Sequence, residues 1–424
     1  MRFLFPALAV ILAASALPVG AQSPQGTGPL TLAEAMRLAE AASPALRVRE
    51  AQFAAVEGVR REAAPLLFNN PALSTEGTRR RASAPDGRAT EWTVGIAQAI
   101  ETGGQQARRR EAASAALDAL RAEVEDARRQ ARAEAALRFH AVLAAQRRVQ
   151  IEQRSVELFD STAQAVARRR AAGEDTRLDA NVALIEAERA RNAVALAREH
   201  LLDARSDLGS VLQLPPSALP DVVGELPLPA SDAPAYALEQ LQTSALDLPR
   251  LRALAGREAS ARARLGVERA ARYPDVTVGV NVGREGFAGA REQVTSLTVS
   301  VPLPLFKRND AAIGQALSEV GQTEIERTVA VRDAQAQVRR LWSRLESQRE
   351  RVLRLQRTMA SASADNQQLA ARPRQAGQIG LLDQLLVNRQ ALDAERELND
   401  ALAEYHATRI ELEQAAGWSQ EGFK

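Results

Sequence analysis

Ala172-Gly173, followed by Leu178-Asp179, returns 204 residues later (376 − 172) as Ala376-Gly377, followed by Leu382-Asp383. Pro44 opens a stretch with helical character that closes near Pro71, and Pro249 opens one that closes near Pro274. Those openings are offset by 249 − 44 = 205 residues, so the chain is a tandem repeat of two similar halves. Each copy reads helix, strand, strand, very long helix, turn, long helix.

The helical parts are defined by what they lack. No glycine or proline interrupts Gln105 to Ala172, Glu174 to Leu208, Gln322 to Arg372 or Leu381 to Ala416. A helix over the first stretch is on the order of 100 Å long at ~1.5 Å per residue, too long for an ordinary globular domain. Leu117, Leu120, Val124, Ala127 and Ala131 step 3-4-3-4. Ala334, Val338, Leu341 and Leu345, then Val352, Leu355 and Met359, keep the same rhythm, with Gln348 in the missing seam position. This is the seam of a coiled coil, and its many alanines let helices approach closely. The spacing predicts one helical hairpin over 104–208 and a second over 309–416.

The strands are few. Val276, Val278, Val280 and Val282 alternate with Thr277, Gly279, Asn281 and Gly283. Leu297, Val299 and Val301 alternate with Thr298 and Ser300, and Trp92, Val94 and Ile96 with Thr93, Gly95 and Ala97. This period of two predicts strands at about 72–78, 91–100, 274–284 and 294–302, with polar connections at 78–90 and 284–292. Two readings are open: soluble hairpins packed on a core, or spans of a transmembrane barrel whose valines meet lipid while Thr, Asn and Gly line water. Most of the strands have the ~9–11 residues a tilted span requires. Four strands cannot close a barrel, so the second reading requires an oligomer.

Composition narrows the class further. Arg2, the apolar run Leu4 to Leu17 and the small residues Val19-Gly20-Ala21 read as a signal peptide over 1–21, with the mature chain beginning at Gln22. No later segment approaches the ~18 consecutive apolar residues of a transmembrane helix. Cysteine is absent, which excludes disulfides and thiolate metal sites. The net charge of +2 and the matching of arginine by glutamate argue against a nucleic-acid partner. Arg108 to Arg110 and Arg168 to Arg170 are read as helix-surface charge, and Arg79 to Arg81 as a solvated loop, with contact to lipid phosphates as the alternative. His140, His200 and His406 each stand alone on a long helix, with no metal-ligand spacing. No catalytic or cofactor motif is present, so no enzyme activity and no cofactor are expected. The repeats span 22–213 and 236–417, joined by a proline-rich linker at 214–235 and followed by a short tail at 418–424.

Taken in order, several segments resemble the TolC-like outer membrane factor family, in particular its CzcC-like heavy-metal-efflux branch. They are Leu30-Thr31-Leu32-Ala33-Glu34-Ala35, Pro71-Ala72-Leu73-Ser74, Ala99-Ile100-Glu101-Thr102-Gly103-Gly104, Tyr273-Pro274-Asp275-Val276 and Val301-Pro302-Leu303-Pro304-Leu305-Phe306-Lys307-Arg308-Asn309, completed by the paired Gly-x5-Asp tips. The resemblance covers essentially the whole mature chain. It implies a mainly α protein with membrane β: a tandem-repeat protomer, three copies of which form a twelve-stranded outer-membrane β-barrel, four strands from each. A long α-helical coiled-coil barrel would continue it into the periplasm. It implies a homotrimer in outer-membrane lipid, partnered by a periplasmic adaptor and an inner-membrane pump of the resistance-nodulation-division (RND) type, that passively conducts divalent heavy-metal cations. Multidrug efflux or type I secretion through the same fold is the alternative, and a periplasmic coiled-coil adaptor is a second one.

Carried over residue by residue, Gly173, Gly377, Leu178 and Leu382 match the periplasmic tips that meet the adaptor. Asp179 and Asp383 match the acidic aperture, or else serve as helix-start residues favoured by the helix dipole. The family's gate has a second acid three residues on, where this chain carries Leu386. The barrel's lipid face would comprise Val276, Val278, Val280, Val282, Leu297 and Val299.

Overall fold

The structure, a computed structural model, describes residues 28–81, 88–230, 236–286, 291–363, 365–366, 368–369 and 380–417. The expected signal segment, the C-terminal tail and the tip glycine Gly377 lie outside the described residues. The first repeat comprises α1 (Leu32–Ala42), α2 (Pro44–Glu62), β1 (Ala72–Arg81), β2 (Arg88–Ile100), α3 (Gln105–Ala171) and α4 (Arg177–Leu212). The second comprises α5 (Leu238–Ser244), α6 (Pro249–Ala270), β3 (Val276–Glu285), β4 (Glu292–Ser300), α7 (Asp310–Arg354) and α8 (Leu381–Ala416). A π-helical turn, Leu355–Ala360, continues α7. Among the described residues no helix is long and apolar enough to cross a membrane.

The repeat is visible in how each half is punctuated. Thr31 caps α1, and Pro44 and Pro249 begin α2 and α6, where the missing N–H costs nothing. The two strand-to-helix junctions use equivalent left-handed residues, Gly104 (φ 77°) before α3 and Asn309 (φ 61°) before α7. Asn309 tolerates that conformation because its Nδ2 donates to the Glu268 carbonyl (2.9 Å) and to the Glu268 carboxylate (2.7 Å).

The four strands form one antiparallel sheet in the order β1-β2-β3-β4. Both hairpins join strands of one repeat, and the central β2–β3 pairing, with Ile96 opposite Val280, joins the two repeats. β1 reaches further than the alternation suggests. Arg79, Arg80 and Arg81 are ladder residues opposite Thr90, Ala89 and Arg88, which corrects their reading as a loop. A run of three arginines carries no apolar alternation, so only the register of the partner strand places it.

α3 is the spine. It packs on α4, α6, α8 and α2, and α7 packs on α6 and α8. The expected seam is inside: Leu117, Leu120 and Val124 are buried on α3, and Val338, Leu341, Leu345, Gln348 and Val352 on α7. Alanines at 0% exposure, among them Ala135 and Ala136, give α3 the close approach their size permits. Gly256 does the same for α6, since a Cβ there would come within 2.9 Å of the Ala119 Cβ. The main core is a thickened waist where Leu30, Phe139, Val142, Leu208, Tyr236, Leu248, Leu341 and Leu412 meet. The inter-repeat linker belongs to it. Leu30 donates to the Asp221 carbonyl (2.8 Å), Val223 donates to the Leu30 carbonyl (3.1 Å), and Leu219, Val222 and Leu226 are buried.

Candidate conduit surfaces: the two-faced sheet and the helical tips

Register turns the strand alternation into two surfaces. Side chains of directly opposed residues share a face. One face therefore gathers Leu73, Ile96, Val280 and Leu297 in one row, Thr75, Val94, Val282 and Thr295 in the next, and Gln98, Val278 and Val299 below. Val276 closes this face opposite Ile100. The other face carries Ser74, Gly95, Asn281 and Ser296 in one row and Ala97, Gly279 and Thr298 in another. Asn281 donates to Thr298 Oγ1 at 2.9 Å. Gly95 provides the room, because a Cβ there would collide with the Asn281 amide. The apolar face is uncovered within one chain: Leu73 is 74% exposed, Leu297 70% and Val299 61%. A sheet that exposes its apolar residues and hydrogen-bonds its polar ones is the reverse of a water-soluble sheet, and β1 and β4 present open edges besides.

At the far end of the helices, the α3–α4 turn is built from backbone chemistry. Gly173 (φ 83°) ends α3, with Gly173 N–H donating to the Arg170 carbonyl (3.0 Å) and Glu174 N–H to the Arg169 carbonyl (2.9 Å). This pair of bonds is a Schellman stop, which requires a left-handed residue where glycine costs least. Thr176 then caps α4. Asp179 N–H donates to Thr176 Oγ1 (3.1 Å), and Asp179 Oδ2 accepts from Thr176 N–H (3.0 Å) and from its hydroxyl (2.7 Å). Asp179 therefore has a structural task of its own. Asp383 occupies the equivalent first turn of α8, but Gly380 precedes it as N-cap and has no side chain to complete a capping box. Leu178 and Leu382 are 71% and 66% exposed, an unusual position for leucine on a helix start. The structure thus brings Leu178 and Asp179 together at a described tip, and places Leu382 and Asp383 at the start of α8.

Two polar clusters escaped sequence reasoning. His140 and His406, which the sequence leaves each alone, stack in the waist at 5.3 Å between ring centroids and 18° between planes. His140 Nδ1 lies 2.8 Å from the Ala136 carbonyl and His406 Nε2 lies 2.8 Å from the Pro227 carbonyl. A carbonyl only accepts, so those nitrogens carry the protons. Burial, reinforced by Arg409 and His140 against the Pro227 hydrogen bond, pushes His406 down to about 4. Tyr236 O–H donates to the Glu413 carboxylate, which is buried in the same core. Among the described residues no three His, Asp or Glu side chains converge as a metal site.

The second cluster locks the repeats together. Glu152 on α3, 1% exposed, accepts from Arg148 Nε (2.6 Å) on its own helix and from Arg396 Nε (2.9 Å) on α8. Burial opposes its charge, but the Arg396 and Arg148 hydrogen bonds prevail and hold the carboxyl below its ordinary value. Only the Arg148–Glu152 spacing of four residues is readable in sequence, because the Arg396 contact spans the repeats.

Known proteins carry the same plan. The family model for outer membrane efflux protein matches residues 35–212 and again 241–418, one match per repeat. The cobalt-zinc-cadmium resistance protein CzcC of Cupriavidus metallidurans is 29% identical over 305 residues, covering 71% of this chain and 69% of that protein. The outer-membrane channel OprN superposes with a TM-score of 0.76 at 21% identity, over 92% of this chain and 90% of OprN. The outer membrane protein VceC of Vibrio cholerae gives 0.74 at 18% identity, over 93% and 97%. These likenesses carry the tandem-repeat protomer fold of outer-membrane channels. With both repeats matched by one model, the chain belongs to the outer membrane efflux protein family.

Proposed function

We propose that this protein is the outer-membrane channel of a tripartite efflux system, a homotrimer passively conducting divalent heavy-metal cations. The observation that carries the channel reading is the inverted sheet, apolar and exposed on one face, polar on the other, with both edges open. Four strands with open edges become stable when β4 of one copy pairs with β1 of the next, and three copies close twelve strands. The face of Val276, Val278, Val280, Val282, Leu297 and Val299 then meets lipid, and the Asn281 face lines water. The helical hairpins continue the conduit into the periplasm. There the tips at Gly173 and Gly377, with Leu178 and Leu382, dock a periplasmic adaptor joined to an inner-membrane RND pump, which supplies the energy.

Cation preference is supported by the resistance that the CzcC relative's name describes and by charge. Three copies of Asp383 around one axis raise the negative potential of the aperture. Asp179, already engaged by Thr176, contributes mainly to the tip's geometry. Transport of drugs or secreted proteins through the same fold is the alternative reading.

The test is growth of a deletion strain, with and without the gene restored, across zinc, cobalt, cadmium, nickel, copper and a set of hydrophobic drugs. Sensitivity confined to a group of divalent metals is expected. Sensitivity to drugs alone would move the protein to the alternative, and no sensitivity to either would overturn the efflux role.

A further inference from the structure

At the loop end of the sheet, away from the helices, charged residues are sorted by sign between the two faces. Register places Arg79 and Arg81 on the face of Leu73, and Arg284 opposite Trp92 on the face of Val282 and Val280. Arg88 occupies the position opposite Arg81. The acids of this end have the other parity: Glu76 is opposite Thr93, Glu91 opposite Thr78, and Glu285 opposite Glu292. Arg80, the one arginine of its run with inner parity, pairs with Glu91 at 3.1 Å. Glu91 also accepts the Gly286 N–H at 3.2 Å. Arg79, Arg81 and Arg284 are exposed and form no ion pair among the described residues.

Height along the strands separates these arginines from the hydrocarbon layer. From the Ile100–Val276 row to the Trp92–Arg284 row β2 advances eight residues (100 − 92). That is roughly 27 Å along the strand at ~3.4 Å per residue, or roughly 20 Å of height at a tilt of about 40°. An outward apolar band is about 25 Å tall and is bounded by aromatic residues. Trp92, 48% exposed on the apolar face, stands at that boundary. Arg284 shares its row, and Arg79 and Arg81 follow one and two rows beyond. They reach headgroup level with their guanidinium groups matched by no acid among the described residues. A guanidinium fork fits phosphate oxygens in a bidentate way.

The geometry points to a phosphate-binding collar, made of Arg79, Arg81 and Arg284, for the phosphorylated glycolipids of the outer leaflet. This rests on the outer-membrane barrel reading above. The sign sorting favours this ligand over a transported anion, because the conduit side of the same rows is acidic. The distance from the helices favours the outer leaflet over the periplasmic one. Three-fold repetition sets nine guanidinium groups around the barrel.

The test uses the full chain purified in detergent from outer membranes, with bisphosphorylated lipid A, dephosphorylated lipid A and inorganic phosphate as probes. Bound lipid per oligomer and the midpoint of thermal oligomer dissociation are measured for the parent, for R79Q/R81Q/R284Q and for R80Q. The parent is expected to bind bisphosphorylated lipid A and be stabilised by it. The triple variant should lose on the order of tenfold in affinity or more with the loss of charge-assisted contacts, and R80Q should keep the parent's affinity. Equal binding by the triple variant, equal binding of dephosphorylated lipid A, or displacement by equimolar phosphate would each overturn the collar. A parent oligomer that keeps its boiling-dependent gel mobility in those cases leaves the barrel standing. A parent chain absent from the outer membrane would overturn both.

Discussion

His406 shows how one buried side chain makes the stability of the fold depend on pH. Its imidazole is neutral in the waist, stacked on His140, edge-on to Tyr405 and under the charge of Arg409. The unfolded chain takes up a proton below its ordinary value of 6.5, whereas the folded one resists down to about 4. Within that window the unfolded state binds more protons, so stability falls as pH falls, by up to roughly 3 kcal/mol. Glu152 acts in the same direction but only below its ordinary 4.5, where protonation releases Arg396 and Arg148. His406→Gln, whose amide can still donate to the Pro227 carbonyl, is expected to flatten thermal midpoints between pH 6.5 and 4.5 while leaving the decline below. An unchanged slope in that variant would show that another group titrates. Asp179 gives a second test at this scale. Asp179→Ala removes the carboxylate half of the capping box, leaves the Thr176 cap bond, and should cost about 0.3–1 kcal/mol of local stability, read as faster hydrogen exchange in the first turn of α4, with metal resistance retained. Loss of resistance without faster exchange would make Asp179 an aperture residue instead of a cap. Neither cluster could be read from the sequence, because a histidine or a glutamate acquires its partner only when helices from different repeats are brought side by side.

At the level of elements, the strands were legible where side chains alternate and illegible where they do not. The valines of β3 declare both faces because the even positions from 276 to 282 are apolar and the odd ones between them small or polar. The end of β1 was hidden because Arg79 to Arg81 offer no such contrast, and only pairing with Ala89 and Thr90 extends the ladder. The long helices were legible for the complementary reason: an uninterrupted run without glycine or proline has no place to turn, and the 3-4 spacing fixes its buried edge. What spacing does not give is which helix covers that edge. α3 packs on α6 from the other repeat as well as on its own partner α4. The two-faced sheet makes its own prediction. Val280→Lys places an ammonium in the middle of the apolar face and should cost about 2–4 kcal/mol near the bilayer midplane. Asn281→Lys, one residue on, directs the same charge to the polar face of the sheet. Outer-membrane yield should collapse for the first and stay close to the parent for the second. Equal yields would remove the lipid-facing assignment while leaving the fold intact.

For the whole molecule, the decisive surfaces are those a single chain leaves unfinished. β1 and β4 have open edges, and the apolar face has no cover, yet the two repeats are already locked by Arg148, Glu152 and Arg396 and by the Arg154–Glu395 contact. In the proposed trimer, pairing between copies satisfies the edges that one protomer leaves open. Closure fixes side-chain parity between copies as strictly as within one, because a slip of one residue would turn every valine toward water. Leu73 on β1 and Thr295, Leu297 and Val299 on β4 share the apolar face. The chain has no cysteine, so introduced thiols report cleanly. Leu73→Cys combined in turn with Thr295→Cys, Leu297→Cys or Val299→Cys should yield at least one pair that oxidises between copies. The products on a denaturing gel should end at three chains, because a ring of three has no free edge. Leu73→Cys with Ser296→Cys or Thr298→Cys should not cross-link, since those thiols lie on opposite faces of the sheet. A ladder that continues past three chains would mean open, filament-like association. Cross-linking in the opposite-face pairs alone would mean that β4 does not meet β1 in the register class that a lipid-facing barrel demands.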